Sequence, residues 1–279
     1  MSTLSNIRDA LEARSARYSF RVKLAVVWVV IFIVLAVFFA AFQFNVAFML
    51  QWAPFILGGV TLTILICVLG IVLALPLALL GALGRLSGNP IYNGVSGFYV
   101  SFIRGTPLLV QIFFIYLALP QLAQYAPGPL QGLFILGTVT SGVLALGINY
   151  GAYMAEIFRA GIQSVGHGQV EAAQALGMTR TQTMRRIVLP QAIRVIIPPT
   201  GNEFIAMIKD SSLLSVVGTQ ELFFRASKIG RQYFQNLETL VIAALVYWAL
   251  TSIFTYFQGR LERRVGRGYV REDGGPHGH

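Results

Sequence analysis

Three ionisable side chains, Glu203, Lys209 and Asp210, fall in a stretch over 195–217 that is otherwise uncharged. A charged group placed in hydrocarbon costs roughly 3 kcal/mol or more, so residues retained there ordinarily serve a purpose. Together they offer groups of both signs, as a zwitterionic passenger requires, and Asn202 lies beside Glu203 in the same run. Pro198, Pro199 and Gly201 precede them and predict a broken or kinked helix. Broken helices beside charges at mid-membrane depth recur at substrate sites. A second reading pairs Lys209 with Asp210 at the outer boundary, where the pair would hold a helix end, and leaves Glu203 to packing. The residue types alone leave both readings open.

Other chemistries find little material. Nucleophilic catalysis of the Ser/His/Asp kind needs a histidine near a serine, and outside the last three residues the chain has only His167, in the turn Gly166-His167-Gly168. Cys67 is the sole cysteine, which excludes an intrachain disulfide and a cysteine zinc site. No metal centre is expected. A phosphate-binding P-loop needs a lysine after glycine, and Lys23, Lys209 and Lys228 all lack that neighbour. The chain is therefore not expected to be an enzyme or to hold a cofactor of its own. Glu156 and Arg159 stand on one helix face and predict an interfacial ion pair. Arg104, followed by Gly105, Thr106 and Pro107, reads most simply as a topological anchor at the cytoplasmic entry of a span.

The elements that must position these groups follow from composition. Hydrophobic residues make up 56% of the 279-residue chain and charged residues 11%, too few to clothe a water-soluble body. Six runs, 24–42, 54–83, 98–119, 130–158, 195–217 and 239–257, are long and apolar enough to cross a bilayer. The expected fold is an all-α membrane protein with six transmembrane helices. The net charge of +10 does not form a stripe suited to nucleic acid; it falls in clusters between the spans. One side receives Arg8, Arg14, Arg17, Arg21 and Lys23, then Arg85 and Arg104, then Arg159, Arg180, Arg185, Arg186 and Arg194, and finally Arg260, Arg263, Arg264, Arg267 and Arg271. The other receives Lys209, Arg225, Lys228 and Arg231. Positive charge marks the cytoplasmic side, so both termini are expected there. The parts are a basic tail over 1–23, an additional helix over 24–42, a core over 54–257 with a polar loop at 160–194, and a disordered tail over 258–279. Glycines in the second and fourth spans predict close helix packing. Leu222, Ala226, Ile229, Tyr233 and Leu237 form an apolar helical stripe on the outer side, read either as an interfacial helix or as a landing surface for an external partner.

The polar loop has a spacing of its own. Glu171 to Leu176 predicts a short helix closed by Gly177. Thr179 and Gln182 predict a capping box opening a second helix, and Pro190 predicts its end. The segment Glu171-Ala172-Ala173, three residues, Gly177, nine residues, Ile187, one residue, Leu189-Pro190 resembles the EAA loop of ABC importer permeases at every fixed position. The run from Phe102 through Arg104 to Gln111, the run Asn149-Tyr150-Gly151-Ala152-Tyr153, and the run from Leu189 to Leu213 resemble the polar amino-acid uptake branch of that family.

The resemblance implies a type I importer permease fold and the function of a transmembrane permease subunit in an ATP-driven amino-acid importer. It implies that Glu171, Ala172, Ala173 and Gly177, with Ile187, Leu189 and Pro190 behind them, couple the chain to a separate cytoplasmic ATP-binding subunit, expected in two copies, which binds the ATP. It further implies a second permease, an external solute-binding protein, a polar amino-acid substrate and the bacterial plasma (inner) membrane. The alternative is an ion-coupled secondary transporter working without an ATPase, which gives no reason for the helix–turn–helix.

Overall fold

The computed structural model describes residues 19–41 and 44–265, and every extended element among them is helical. The basic tail before residue 19 and the end of the chain after 265 lie outside the described residues. The chain divides into two units, Met1–Met49 and Leu50–His279. In the first, α1 (Phe20–Ala41) bears apolar side chains around its circumference, including Trp28 and Phe32 with ring centroids 6.1 Å apart. A helix apolar on all sides suits a lipid environment.

The larger unit begins within α2 (Val46–Leu57) and continues through α3 (Val60–Leu86), α4 (Pro90–Gly105), α5 (Leu108–Phe113), a π-helical turn (Phe114–Ala118) and α6 (Leu119–Leu122). Then come α7 (Thr138–Gln163), α8 (His167–Ala175), α9 (Arg180–Thr183), a second π-helical turn (Met184–Val188) and α10 (Leu189–Asp210). A 3-10 segment (Ser211–Val217), α11 (Leu222–Tyr233) and α12 (Asn236–Val265) complete it. Residues 258–265, expected to begin a disordered tail, continue the last helix.

Among the described residues three helical stretches are long and apolar enough to cross a membrane: Val46–Leu86, Leu108–Tyr125 and Asn236–Val265. The other two core spans expected from sequence fall on α7 and α10, which are long but carry polar and charged side chains because they line an internal site. Packing centres on α3 against α7. A Cβ at Gly151 would lie 2.7 Å from the Tyr99 hydroxyl and 2.9 Å from Leu77 Cβ, so this glycine admits α3 and α4 to the same point of α7. Tyr99 there donates to the Ile148 carbonyl at 2.8 Å. Ile66, Ile112, Leu146, Met154, Met207 and Leu214 fill the core between these helices and α10.

Two departures from expectation concern proline. Pro198 and Pro199 do not break α10, which runs unbroken to Asp210. Pro190 does not end a helix either: α9, the π-helical turn and α10 run on without a break through it. The chain is broken instead at Thr106-Pro107, in the middle of the run expected to form one span over 98–119.

Candidate functional site

Pro107 disfavours helical backbone at the residue before it, and Thr106 is extended at φ −115° and ψ 142°. The break orphans carbonyls in the last turn of α4. Thr106 Oγ1 donates to the Phe102 carbonyl at 3.0 Å. The buried side chain of Gln111, on α5, reaches back to donate to the Ile103 carbonyl at 2.8 Å and the Thr106 carbonyl at 3.1 Å. Its own Oε1 accepts from Asn149 Nδ2 of α7 at 3.1 Å. One amide thus seals the break and ties it to the next helix.

Arg104 emerges at that break, its guanidinium 5.1 Å from the centroid of the Tyr153 ring. This corrects its reading as an anchor at the cytoplasmic entry. Because α4 starts at Pro90, Arg104 lies roughly 21 Å along it. Its neighbours Asn149, Tyr150 and Tyr153 belong to the middle of α7. The signal was available: a charge in an apolar run beside helix-breaking residues is the pattern that singled out Glu203.

α10 supplies the facing wall. A cavity of about 490 Å³ is lined by Arg104, Thr106, Asn149, Tyr150, Tyr153, Glu203 and Asp210, with Gly105, Pro107, Leu108 and Ala206. Asp210 Oδ2 accepts from the Tyr150 hydroxyl at 2.9 Å. Glu203 has no hydrogen-bond or ion-pair partner among the described residues, and neither carboxylate is paired with Arg104 there. The site therefore holds two negative charges and one positive charge apart across a space of small-molecule size. Of the four residues expected on a substrate path, Glu203 and Asp210 line the cavity. Lys209 is exposed, outside the lining and not ion-paired with Asp210. Asn202 is exposed and accepts from Gln258 Nε2 of α12 at 2.9 Å, so it joins two helices. Tyr150 and Tyr153 belong to a run marked by its resemblance, but their place in the cavity emerges only from the packing.

At one end of α7, Glu156 accepts from Arg159 Nε at 2.9 Å and lies 3.6 Å from Arg85 Nε of α3. Beyond it stands the loop. Gly177 adopts φ +77°, its N–H bonds to the Gln174 carbonyl at 2.9 Å, and the Met178 N–H bonds to the Ala173 carbonyl at 3.1 Å. This is a Schellman closure of α8, and the left-handed residue it needs is glycine. Thr179 Oγ1 accepts from Gln182 N at 3.3 Å while Gln182 Oε1 accepts from Thr179 N at 2.9 Å, closing the expected capping box. Glu171, Ala172 and Gly177 face outward, whereas Ala173 is buried and seats α8 on its own chain. Leu176, which sequence reading passed over, is 83% exposed at the same corner. Ile187 and Leu189 are half-buried and Pro190 is exposed. Ile162, Val188, Ala192 and Ile196, with Val170 and Met184 against them, form a small core that fixes this corner to α7 and α10.

The remaining buried carboxylate, Glu221, caps α11. It accepts from Phe223 N at 2.9 Å, Phe224 N at 2.6 Å and the Tyr247 hydroxyl at 2.7 Å. Burial pushes its carboxyl above the ordinary range, against the lowering effect of these donors. Of the outer apolar stripe, Leu222, Ala226 and Ile229 are buried within the chain, while Tyr233 and Leu237 at its end are exposed. Lys228 and Arg231 also face outward.

Comparison with known proteins places this arrangement. The family of binding-protein-dependent transport system inner membrane components matches residues 70–267. The arginine transport system permease protein ArgU of Corynebacterium glutamicum is 43% identical over 221 residues, 77% of this chain and 68% of that protein. The glutamine transport system permease protein GlnP of Escherichia coli K12 is 38% identical over 212 residues, 76% of this chain and 93% of that protein. A crystal structure of an amino acid ABC transporter with histidines matches with a TM-score of 0.72 and 37% identity, covering 79% of this chain and 99% of that one. The MetNI methionine ABC transporter, at 18% identity and a TM-score of 0.58 over 80% of this chain and 100% of that one, shares the fold. None of these relatives supports the ion-coupled alternative.

Proposed function

This chain belongs to the family of binding-protein-dependent transport system inner membrane components, and on that premise we propose that it forms the translocation pathway of an ATP-driven amino-acid importer. The observation that carries the reading is the charged cavity at the middle of α7, where three separate sequence runs meet around one space. An amino acid needs groups of both signs, and Arg104 with Glu203 and Asp210 provides them. The named relatives transport arginine and glutamine.

In this reading ATP is bound and hydrolysed by a separate cytoplasmic subunit, two copies of which serve two permeases, and an external solute-binding protein delivers the passenger. The chain crosses the bacterial inner membrane six times with both ends in the cytoplasm. α8 is the docking helix, with Glu171, Ala172, Leu176 and Gly177 toward the ATPase. Its small core passes movement to α10, which carries Glu203 and Asp210. Closure of the ATPase pair then tilts α10 against α7 and exposes the cavity alternately to either side.

The test is reconstitution of the complex, purified with its ATP-binding subunit, into proteoliposomes. Amino-acid uptake that requires ATP is the expected result, and Gly177→Val abolishes it while membrane insertion is retained. Uptake indifferent to ATP, or a chain that co-purifies with no P-loop protein from an intact complex, overturns the proposal.

A further inference from the structure

We infer that the passenger of this cavity is a cationic amino acid, with its α-carboxylate on Arg104 and its two positive groups on Glu203 and Asp210. The inference rests on the transport reading above and narrows it to a substrate class. Its basis is charge balance. The lining carries one guanidinium and two carboxylates, and Lys209, the other basic side chain of this stretch of α10, is exposed outside it. A neutral amino acid neutralises Arg104 and one carboxylate, leaving the second desolvated with no counter-charge. An acidic passenger brings two carboxylates, of which Arg104 meets one, and sets the other against the two already present. Only a passenger with one negative and two positive groups satisfies all three charges, and a charge drawn out of water beside a passenger without a counter-charge is unfavourable.

Geometry agrees with the charge count. Glu203 and Asp210 stand two helical turns apart on one face of α10, roughly 10 Å along its axis. That separation suits two cationic groups joined by an extended side chain, each met by a flexible carboxylate. Tyr150 holds Asp210 through Oδ2 at 2.9 Å, leaving Oδ1 for a ligand. Glu203 has no partner within the described residues. The N–H groups of Arg104 are likewise unengaged there, while the Tyr153 ring positions the guanidinium plane. The cavity of about 490 Å³ accommodates an amino acid of arginine's size.

The test is equilibrium binding of labelled arginine, lysine, glutamine and glutamate to the purified permease–ATPase complex without its external binding protein, so that the cavity alone selects. Arginine and lysine are expected to bind about tenfold to a hundredfold more tightly than glutamine, with glutamate weakest. Glu203→Gln and Asp210→Asn each shrink the arginine-to-glutamine ratio toward one, and their unchanged thermal midpoints show that the fold is intact. Glutamine or glutamate binding as tightly as arginine, or a ratio unmoved in both variants, overturns the inference and leaves the transport reading standing. ATP-dependent uptake of no amino acid of any charge, in vesicles from the same preparation, removes both.

Discussion

Carboxylates leave water in two regions of the larger unit, and the two regions treat them differently. Glu221 is wholly buried, yet two backbone amides and a tyrosine hydroxyl meet it, so every demand it makes is answered inside the chain. Glu203 and Asp210 are less buried and less satisfied: Asp210 has one tyrosine donor, Glu203 has none among the described residues, and both face a cavity with Arg104 across it. Depth of burial alone therefore ranks these residues in the wrong order for function. What separates a structural acid from a site acid is unspent acceptor capacity directed at open space.

Mutation separates the two regions most sharply at Arg104. Arg104→Ala should lower ATP-dependent uptake by about 100-fold while the apparent thermal midpoint in detergent stays unchanged, because its donors support no internal structure. A stability loss equal to the transport loss would place Arg104 with the structural charges. Next in size, Gln111→Leu should lower stability by about 2–3 kcal/mol, since it strips the Ile103 and Thr106 carbonyls and Asn149 of a buried partner. Chemical denaturation checks this, and uptake in the same variant reports how far the cavity depends on the seal. Glu221→Ala should cost about 2 kcal/mol by removing the α11 cap and orphaning the Tyr247 hydroxyl. Uptake by the surviving folded fraction should stay normal.

The smallest effect is a pH dependence. Burial raises the Glu221 carboxyl above its ordinary 4.5. A carboxyl raised in the folded state favours folding fully below the ordinary value, and that contribution is lost as pH rises through the folded value. Acidification from neutrality should therefore stabilise the protein relative to Glu221→Gln, read as a narrowing gap in thermal midpoint at neutral pH and a widening one in mild acid. A gap independent of pH would show that Glu221 does not titrate in this range.

Much of the local structure was legible from residue types. The Schellman closure at Gly177 and the capping box of Thr179 and Gln182 are written in short spacings, because both are completed by neighbours within six residues of each other. The ion pair of Glu156 and Arg159 is similarly local. The prolines were misread for a related reason. Pro198 and Pro199 fall in a helix held by contacts with other helices, including Gln258 Nε2 donating to the Pro198 carbonyl at 2.9 Å. Those contacts lie sixty residues away in the chain and leave no trace near the prolines.

The sequence by itself determined that this is a helical membrane chain, where its polar loop stands, and which acids on one helix face must be explained. Those properties depend on transfer free energy and on contacts between near neighbours, and both are carried by composition and spacing. Only the tertiary structure decided that Arg104 lies beside the centre of α7, that Tyr150 holds Asp210, that Lys209 turns away, and that Leu222, Ala226 and Ile229 of the outer apolar stripe are spent on internal packing. Each of those depends on where helices distant in sequence meet, and a side chain's role is set by what faces it across that distance.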